Sequence, residues 1–253
     1  MEWYSYILIV AVGLVAGIIN TLAAGGSLLV LPFLMALGLP PNVANGTNRI
    51  AIFLQNIVGV SAFRREKVMD FPSGFRVGIP AVFGAFGGAF IAVNLNDEVM
   101  KLAIAGVMIL VFILILLKPN RWINSHEDHP PIPYWVQVIV FFMVGIYGGF
   151  IQAGVGFFLL TSLVLGSGLE LVKANALKLF VILLYTPLAL FVFFLHKDVN
   201  LWIGLVLAAG NMAGAWIGTK IAVKWGAVFI RYFVLLAILI AATKLIVDAI
   251  KVL

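Results

Sequence analysis

The sequence predicts an all-α integral membrane protein of about ten hydrophobic helical segments, arranged as two inverted repeats of five. Three observations predict it. The 253 residues are 64% hydrophobic and only 10% charged, with a mean hydropathy of +1.17, whereas a soluble domain is about half apolar and a quarter charged. Apolar runs long enough to cross a bilayer as helices recur along the whole chain, without the short alternation of a membrane β-barrel. The two halves of the chain also resemble each other.

The segments fall at 4–24, 27–39, 46–63, 74–94, 99–117, 134–152, 155–167, 174–195, 200–219 and 228–247. The N-terminal "MEWYSYILIV" lacks a basic stretch and a cleavage signal, so it reads as a retained first helix. Segments 27–39 and 155–167 have only 13 residues each. Such a helix rises about 20 Å, short of the ~30 Å hydrocarbon core, so both are expected to be half-helices or re-entrant pieces. The one hydrophilic linker is "KPNRWINSHEDHPPIPYW", rich in charge and proline. It divides the chain into a first membrane repeat (1–117), a cytoplasmic linker (118–133) and a second membrane repeat (134–253).

The repeat is read from three matches in order. "GLVAGIIN" (13–20) aligns with "GIYGGFIQ" (145–152), "LGLPPNVAN" (37–45) with "LGSGLELVKAN" (165–175), and "GAFGGAFIA" (84–92) with "GNMAGAWIG" (210–218). An odd number of spans per repeat inverts the second half. Charge fits this arrangement: with loop 64–76 in the cytoplasm, Arg64, Arg65, Lys67, Arg76, Lys118, Arg121, Lys173, Lys220, Lys224 and Arg231 fall inside. Only Lys101, Lys197, Lys244 and Lys251 fall outside, as the positive-inside tendency requires. The net charge of +6 is thus explained by topology, and no nucleic-acid partner is expected.

Inverted repeats with helices interrupted at matching places point to a site between the repeats at mid-membrane. The first interruption is "NTLAAGGS" (20–27) and the second "QAGVG" (152–156). A helix restarting near Ser27 would aim free N–H groups and its positive dipole end at a ligand. Gly25 and Gly26 would let backbone approach, and Ser27 would cap the helix; the plain alternative is a tight turn without a ligand. Asn20, Thr21 and Gln152 lie beside the breaks. A second polar cluster, "NGTNR" (45–49), is matched by "NALK" (175–178). Asn45 and Asn175 are either N-caps or ligand contacts. Arg49 and Lys178 either snorkel to the interface or bring positive charge to a central cavity. Gln55 and Asn56, deeper in the same span, are expected to face the bundle interior.

The chemistry is narrowed by what lies outside the spans. All ten acids, Glu2, Glu66, Asp70, Asp97, Glu98, Glu127, Asp128, Glu170, Asp198 and Asp248, fall in loops or near helix ends. So do the three histidines, His126, His129 and His196. An intramembrane carboxylate is the usual mark of a cation carrier or proton relay. With no cysteine, thiol chemistry and disulfides are excluded. His126 and His129 beside Glu127 and Asp128 have the look of a metal cluster, but in a proline-rich loop no metal and no cofactor are expected. Amides, hydroxyls, backbone N–H groups and two cations suit an oxyanion, carried with or without a proton. The glycine spacings Gly13/Gly17, Gly84/Gly88, Gly145/Gly149 and Gly210/Gly214/Gly218 read as helix packing. Trp3, Tyr4, Trp122, Tyr134, Trp135 and Trp202 read as interfacial belt.

The stretch "AGIINTLAAGGSLLVLPFLMALGLPPNVANGTNRIAIFLQNIVG" (16–59) resembles the first-repeat signature of the TauE/SafE family, the toluenesulfonate uptake permeases. "GGFIQAGVGFFLL" (148–160) and "KANALKLFVILLYTPLAL" (173–190) fit its second repeat more loosely. The resemblance implies a multi-pass inner-membrane transporter, not an enzyme, for small sulfur-containing anions such as sulfite, sulfonates or sulfoacetate. Carried over position by position, it points to Asn20, Gly25, Gly26, Ser27, Thr47, Asn48, Arg49, Gln152, Gly154, Gly156, Asn175 and Lys178. The turn Ala24-Gly25-Gly26-Ser27 is less glycine-rich than in many relatives. The alternatives are an anion channel, which would need a continuous pore, and a membrane-embedded enzyme or assembly factor, against which the lack of buried acid, histidine or cysteine argues.

Overall fold

A computed structural model describes residues 2–22, 25–117 and 132–225. Among them the chain is helical, without strands. The helices are α1 (Trp3–Leu22), α2 (Gly26–Ala36), α3 (Pro41–Arg65), α4 (Phe71–Val93), α5 (Asp97–Leu117), α6 (Tyr134–Phe150), α7 (Val155–Thr161, continued by a π-helical turn Ser162–Gly166), α8 (Leu171–Leu195) and α9 (Leu201–Trp225). The tenth expected segment, most of the linker, Trp122, His126 and His129 lie outside the described residues.

Helices α1, α4, α8 and α9 are long and apolar enough to cross a bilayer. Their outward faces carry exposed Trp3, Phe83, Phe90, Phe191 and Trp202, surface that only lipid can cover at this density. Helix α3 has 25 residues but a far more polar face; its Asn42, Asn45, Thr47, Asn48, Arg49, Gln55 and Asn56 are all buried. It therefore runs through the interior, packed against α8. Helices α2 and α7 are short, as the sequence predicts, and each follows a break. Gly154, at φ 74°, turns the chain between α6 and α7 in a left-handed conformation that glycine adopts freely.

The glycine spacings do pack helices, and reciprocally. A Cβ on Gly13 or Gly17 of α1 would strike the backbone of Leu207 or Asn211 in α9; one on Gly210 or Gly214 of α9 would strike Val10 or Leu14. In the other half, Gly145 and Gly149 of α6 meet Ala81 and Ala85 of α4, while Gly84 and Gly88 meet Phe142 and Ile146. The two sets of contacts are equivalent under the internal alignment: Gly13 on Leu207 corresponds to Gly145 on Ala81. The first helix of each half thus packs on the fourth helix of the other, with backbones in contact.

This predicts opposite outcomes for neighbouring glycines. Gly88→Ala should lower stability by roughly 1–3 kcal/mol, because the new methyl meets the Ile146 carbonyl and cannot be accommodated without moving α6. Gly87→Ala, which has open space around it, should be neutral or raise stability by up to about 1 kcal/mol through helix propensity. Thermal unfolding in detergent distinguishes them.

The helix ends locate the two faces of the bundle. Arg64 lies over the ring of Phe71, Arg76 over that of Tyr134 at 5.5 Å, and Lys173 acts on Asp70. Arg64, Arg76 and Lys173, three of the basic residues assigned to one side from sequence, thus lie at helix ends that meet one another. Asp70 N-caps α4, accepting from the Ser73 N–H at 3.2 Å, and hydrogen bonding from Ser73, its side chain first and its N–H second, holds the carboxyl below the ordinary carboxylate range. The cap's contribution is present above the ordinary Asp range and is lost as pH falls through the lowered folded value. Asp70→Ala should cost about 1 kcal/mol near neutral pH, with the difference from wild type vanishing in acid.

Candidate functional site

The two breaks and the two central helices enclose a small cavity. Asn20 from the end of α1, Ser27 from the start of α2, Ile52, Gln55 and Asn56 from α3, Gln152, Val155 and Gly156 around the second break, and Lys178, Leu179 and Ile182 from α8 line it. The spacing 52, 55, 56 on one helix and 178, 179, 182 on the other is that of a single helix face.

Both breaks are held by side chains from the opposite half of the chain. Arg49 donates to the carbonyls of Gly148 (3.1 Å) and Gly149 at the end of α6, and to Gln152 Oε1 (3.3 Å). Its guanidinium also lies 4.6 Å from the centroid of the Phe193 ring. Asn45 Nδ2 donates to the Phe150 carbonyl at 2.8 Å. In the mirror arrangement, Lys178 Nζ donates to the Asn20 carbonyl (2.9 Å) and to Asn175 Oδ1 (2.6 Å), while Asn175 Nδ2 donates to the Thr21 carbonyl (2.6 Å). The last carbonyls of a helix have no partner within it and carry its negative dipole end. A cation and an amide supply what each broken helix lacks.

Several sequence expectations are corrected here. Asn45 and Asn175 are not N-caps of their own helices: α3 starts at Pro41 and α8 at Leu171, so both amides lie a turn inside and satisfy a different helix. Arg49 and Lys178 do not snorkel; both are fully buried. Ser27 does not cap α2, whose N-cap is Gly25. The first N–H of α2, on Gly26, bonds instead to Asn20 Oδ1 at 2.8 Å, across the break. Ser27 Oγ accepts from Asn48 Nδ2 at 3.1 Å. A Cβ on Gly26 would strike the Ala16 carbonyl and the Asn20 side chain, so glycine is needed there to let α2 return against α1.

Of the residues singled out from sequence, Asn20, Ser27, Asn56, Gln152, Gly156 and Lys178 meet at the cavity. Arg49, Asn45, Asn48 and Asn175 stand behind them as its frame. Thr21 bonds the Gly17 carbonyl of its own helix, and Thr47 Oγ1 accepts from the Asn200 N–H at the start of α9. Gly25 packs against the Phe157 ring, and Gly154 forms the turn before α7.

Two participants carried no local signal. Tyr185 accepts from Gln152 Nε2 at 3.2 Å, and Asn211 Nδ2 donates to Gln55 Oε1 at 3.1 Å. Gln55 Oε1 also accepts from Asn20 Nδ2 at 3.1 Å. The register set by Asn45 and Asn175 places Gln55 opposite Tyr185, so each break's amide, Asn20 or Gln152, meets the equivalent position of a central helix. The internal alignment was the signal that would have found Tyr185. The same register sets Lys178 opposite Asn48 and Arg49 opposite Leu179. One residue is about 100° around a helix, which is why Lys178 reaches the cavity and Arg49 turns to the end of α6.

Helices broken at matching places, with a polar cavity between the breaks and lipid-facing apolar surface around them, define a multi-pass membrane protein of the transport class. The sequence matches the sulfite exporter TauE/SafE family over residues 9–245. The chain belongs to that family, which is one of membrane transporters. It is 28% identical over 241 residues to the probable membrane transporter protein YfcA of Escherichia coli K12, covering 94% of this chain and 88% of that one. It is 25% identical over 236 residues to the probable membrane transporter protein ORF9 of a Sinorhizobium species, covering 92% and 89%. A probable membrane transporter protein of Haemophilus influenzae is 26% identical over 239 residues, covering 94% and 92%. No solved structure matches the chain.

Proposed function

We propose that this protein is a secondary transporter of small sulfur oxyanions of the sulfite, sulfonate or sulfoacetate type, working in the cytoplasmic membrane by alternating access. The observation that carries the reading is the Lys178 ammonium. It is buried at the cavity, and its hydrogen-bond partners are a carbonyl and an amide oxygen, both neutral. The described acids sit at helix ends or in loops: Glu2 precedes α1, Glu66, Asp70 and Glu170 cap helices, Asp97 and Glu98 open α5, and Asp198 precedes α9. A buried charge without a counter-ion is costly, and an anionic substrate is the counter-ion this site takes. Two of the three ammonium N–H groups are used, which leaves the third for a ligand.

Alternating access is supported by the reciprocal packing of α1 on α9 and α6 on α4. It joins the halves through elements that can rock as units, with α3 and α8 between them. In this reading the two halves are inverted repeats, and the ends of α1 and α6 move with the polar residues of α8 and α3 that hold them.

The test is thermal unfolding of the purified protein in detergent with sulfite, sulfate, sulfoacetate, taurine, an arylsulfonate, acetate and chloride. A ligand of the folded state raises the unfolding temperature by mass action. The expected result is a saturable rise with at least one sulfur oxyanion, lost in Ser27→Leu. Shifts with cations or neutral solutes alone would exclude the anion reading.

A further inference from the structure

The amides of the cavity are almost all satisfied by one another. Asn20 bonds Gly26 N–H and Gln55, Gln152 bonds Arg49 and Tyr185, and Gln55 Oε1 takes two donors. Asn56 is different. Its side chain is shut off from water, and it is the one buried amide among the described residues with neither its oxygen nor its nitrogen paired. It nevertheless lines the cavity. Exchanging the amide's oxygen and nitrogen changes nothing, because both positions lack a partner. Its register equivalent in α8, Thr186, closes its hydroxyl onto its own helix at the Ile182 carbonyl, 2.6 Å away. The unpaired amide therefore belongs to one half only and is not a by-product of the repeat.

A buried amide left unpaired is strongly unfavourable unless something fills the space and bonds it. The other acceptors at the cavity, Asn20 Oδ1, Gln55 Oε1 and Gln152 Oε1, each already take at least one hydrogen bond, and the groups left with a hydrogen to give are donors. The Lys178 ammonium has its third N–H, and the Ser27 hydroxyl, which accepts from Asn48, keeps its own proton to give. Asn56 Nδ2 adds a further donor. Asn56 Oδ1 is the acceptor of the set. An oxyanion with bare oxygens only would satisfy the donors and leave Oδ1 stranded. One that also carries an O–H or N–H would complete the site.

We propose that Asn56 is a specificity-determining residue that accepts a hydrogen bond from the substrate, so that the site selects small oxyanions carrying one donor over those presenting acceptors only. This rests on the anion reading above and narrows it. A singly protonated oxyanion fits the chemistry, as does a short sulfonate with a hydroxyl or amine beside the sulfonate. A substrate that carries its own proton also gives proton-linked transport without a membrane-buried carboxylate.

The test compares methanesulfonate with hydroxymethanesulfonate, two monoanions that share a sulfonate head and differ by one hydroxyl. Binding to the full-length protein in detergent is read by calorimetry. The wild type is expected to bind the hydroxylated anion at least about tenfold more tightly. Asn56→Leu, which removes the Nδ2 donor from both anions and the Oδ1 acceptor from the hydroxylated one, is expected to bring the two within about twofold. Equal affinities in the wild type, or discrimination that survives Asn56→Leu, would overturn the proposal. The wild-type comparison needs no variant, so it decides even if Asn56→Leu fails to fold. Equal binding of both anions removes the role of Asn56 and leaves the anion site standing. Binding of neither, together with no binding of sulfite, removes the anion site itself and the proposal with it.

Discussion

Arg49→Leu is expected to destabilise the folded protein by roughly 3 kcal/mol or more, the largest loss from any single polar side chain in the bundle. The guanidinium holds the Gly148 and Gly149 carbonyls and Gln152 Oε1, all on buried residues. Each stranded buried acceptor costs about 1–3 kcal/mol. The leucine would keep contact with Phe193 but not the cation–π attraction. Arg49→Lys should recover only part of the loss, because an ammonium is a point donor and cannot span the two carbonyls as the planar fork does. Denaturant or thermal unfolding in detergent reads the effect. A loss under about 1 kcal/mol would mean that the end of α6 finds other partners and that Arg49 is not its cap.

Lys178→Gln is expected to behave differently: affinity for the anion falls about a hundredfold, while stability changes by about 1 kcal/mol or less. A charge-assisted hydrogen bond in a buried site is worth roughly 1.5–3 kcal/mol, and each 1.4 kcal/mol is tenfold in affinity. Stability changes little because two effects oppose. The bonds to the Asn20 carbonyl and Asn175 Oδ1 weaken, but a buried, uncompensated charge is also removed. Lys173→Gln is the matched control. It lies on the same helix but is exposed at its start, and it should leave affinity unchanged. On the proposed function, the Arg49 and Lys178 variants separate two cations that look alike in the sequence: Arg49 as a structural clasp, Lys178 as the proposed counter-ion of the substrate.

The helices were legible because a membrane span is written locally. Continuous apolar runs mark α1, α4, α8 and α9, and the glycines Gly25-Gly26 and Gly154 with Gly156 mark the breaks. That α1 and α9 each carry a close-packing face was legible for the same reason, since small residues recurring every fourth position say that a face is bare. What the bare face meets was not written locally. Nor were the partners of the polar residues. Arg49 reaches 99 residues along the chain to Gly148, and Lys178 reaches 158 back to Asn20. An asparagine near a helix start looks like an N-cap whether it caps its own helix or, as with Asn45 and Asn175, closes the end of another. Tyr185 was hidden because a tyrosine in a membrane span usually reads as interfacial bulk. Asn211 was hidden inside a glycine pattern that already had an explanation. The internal alignment carried more about the site than any motif did: it pairs Asn20 with Gln152 and Asn45 with Asn175, and these pairs perform matching tasks.

The central claim is that an anion is bound by Lys178 between the broken helices on its way across the membrane. Sulfite flux into proteoliposomes, measured side by side for wild type and Lys178→Gln at equal protein incorporation, tests it most directly. The predicted result is saturable flux in the wild type that falls at least about tenfold in the variant at subsaturating sulfite. Wild-type flux that persists unchanged in Lys178→Gln would contradict it.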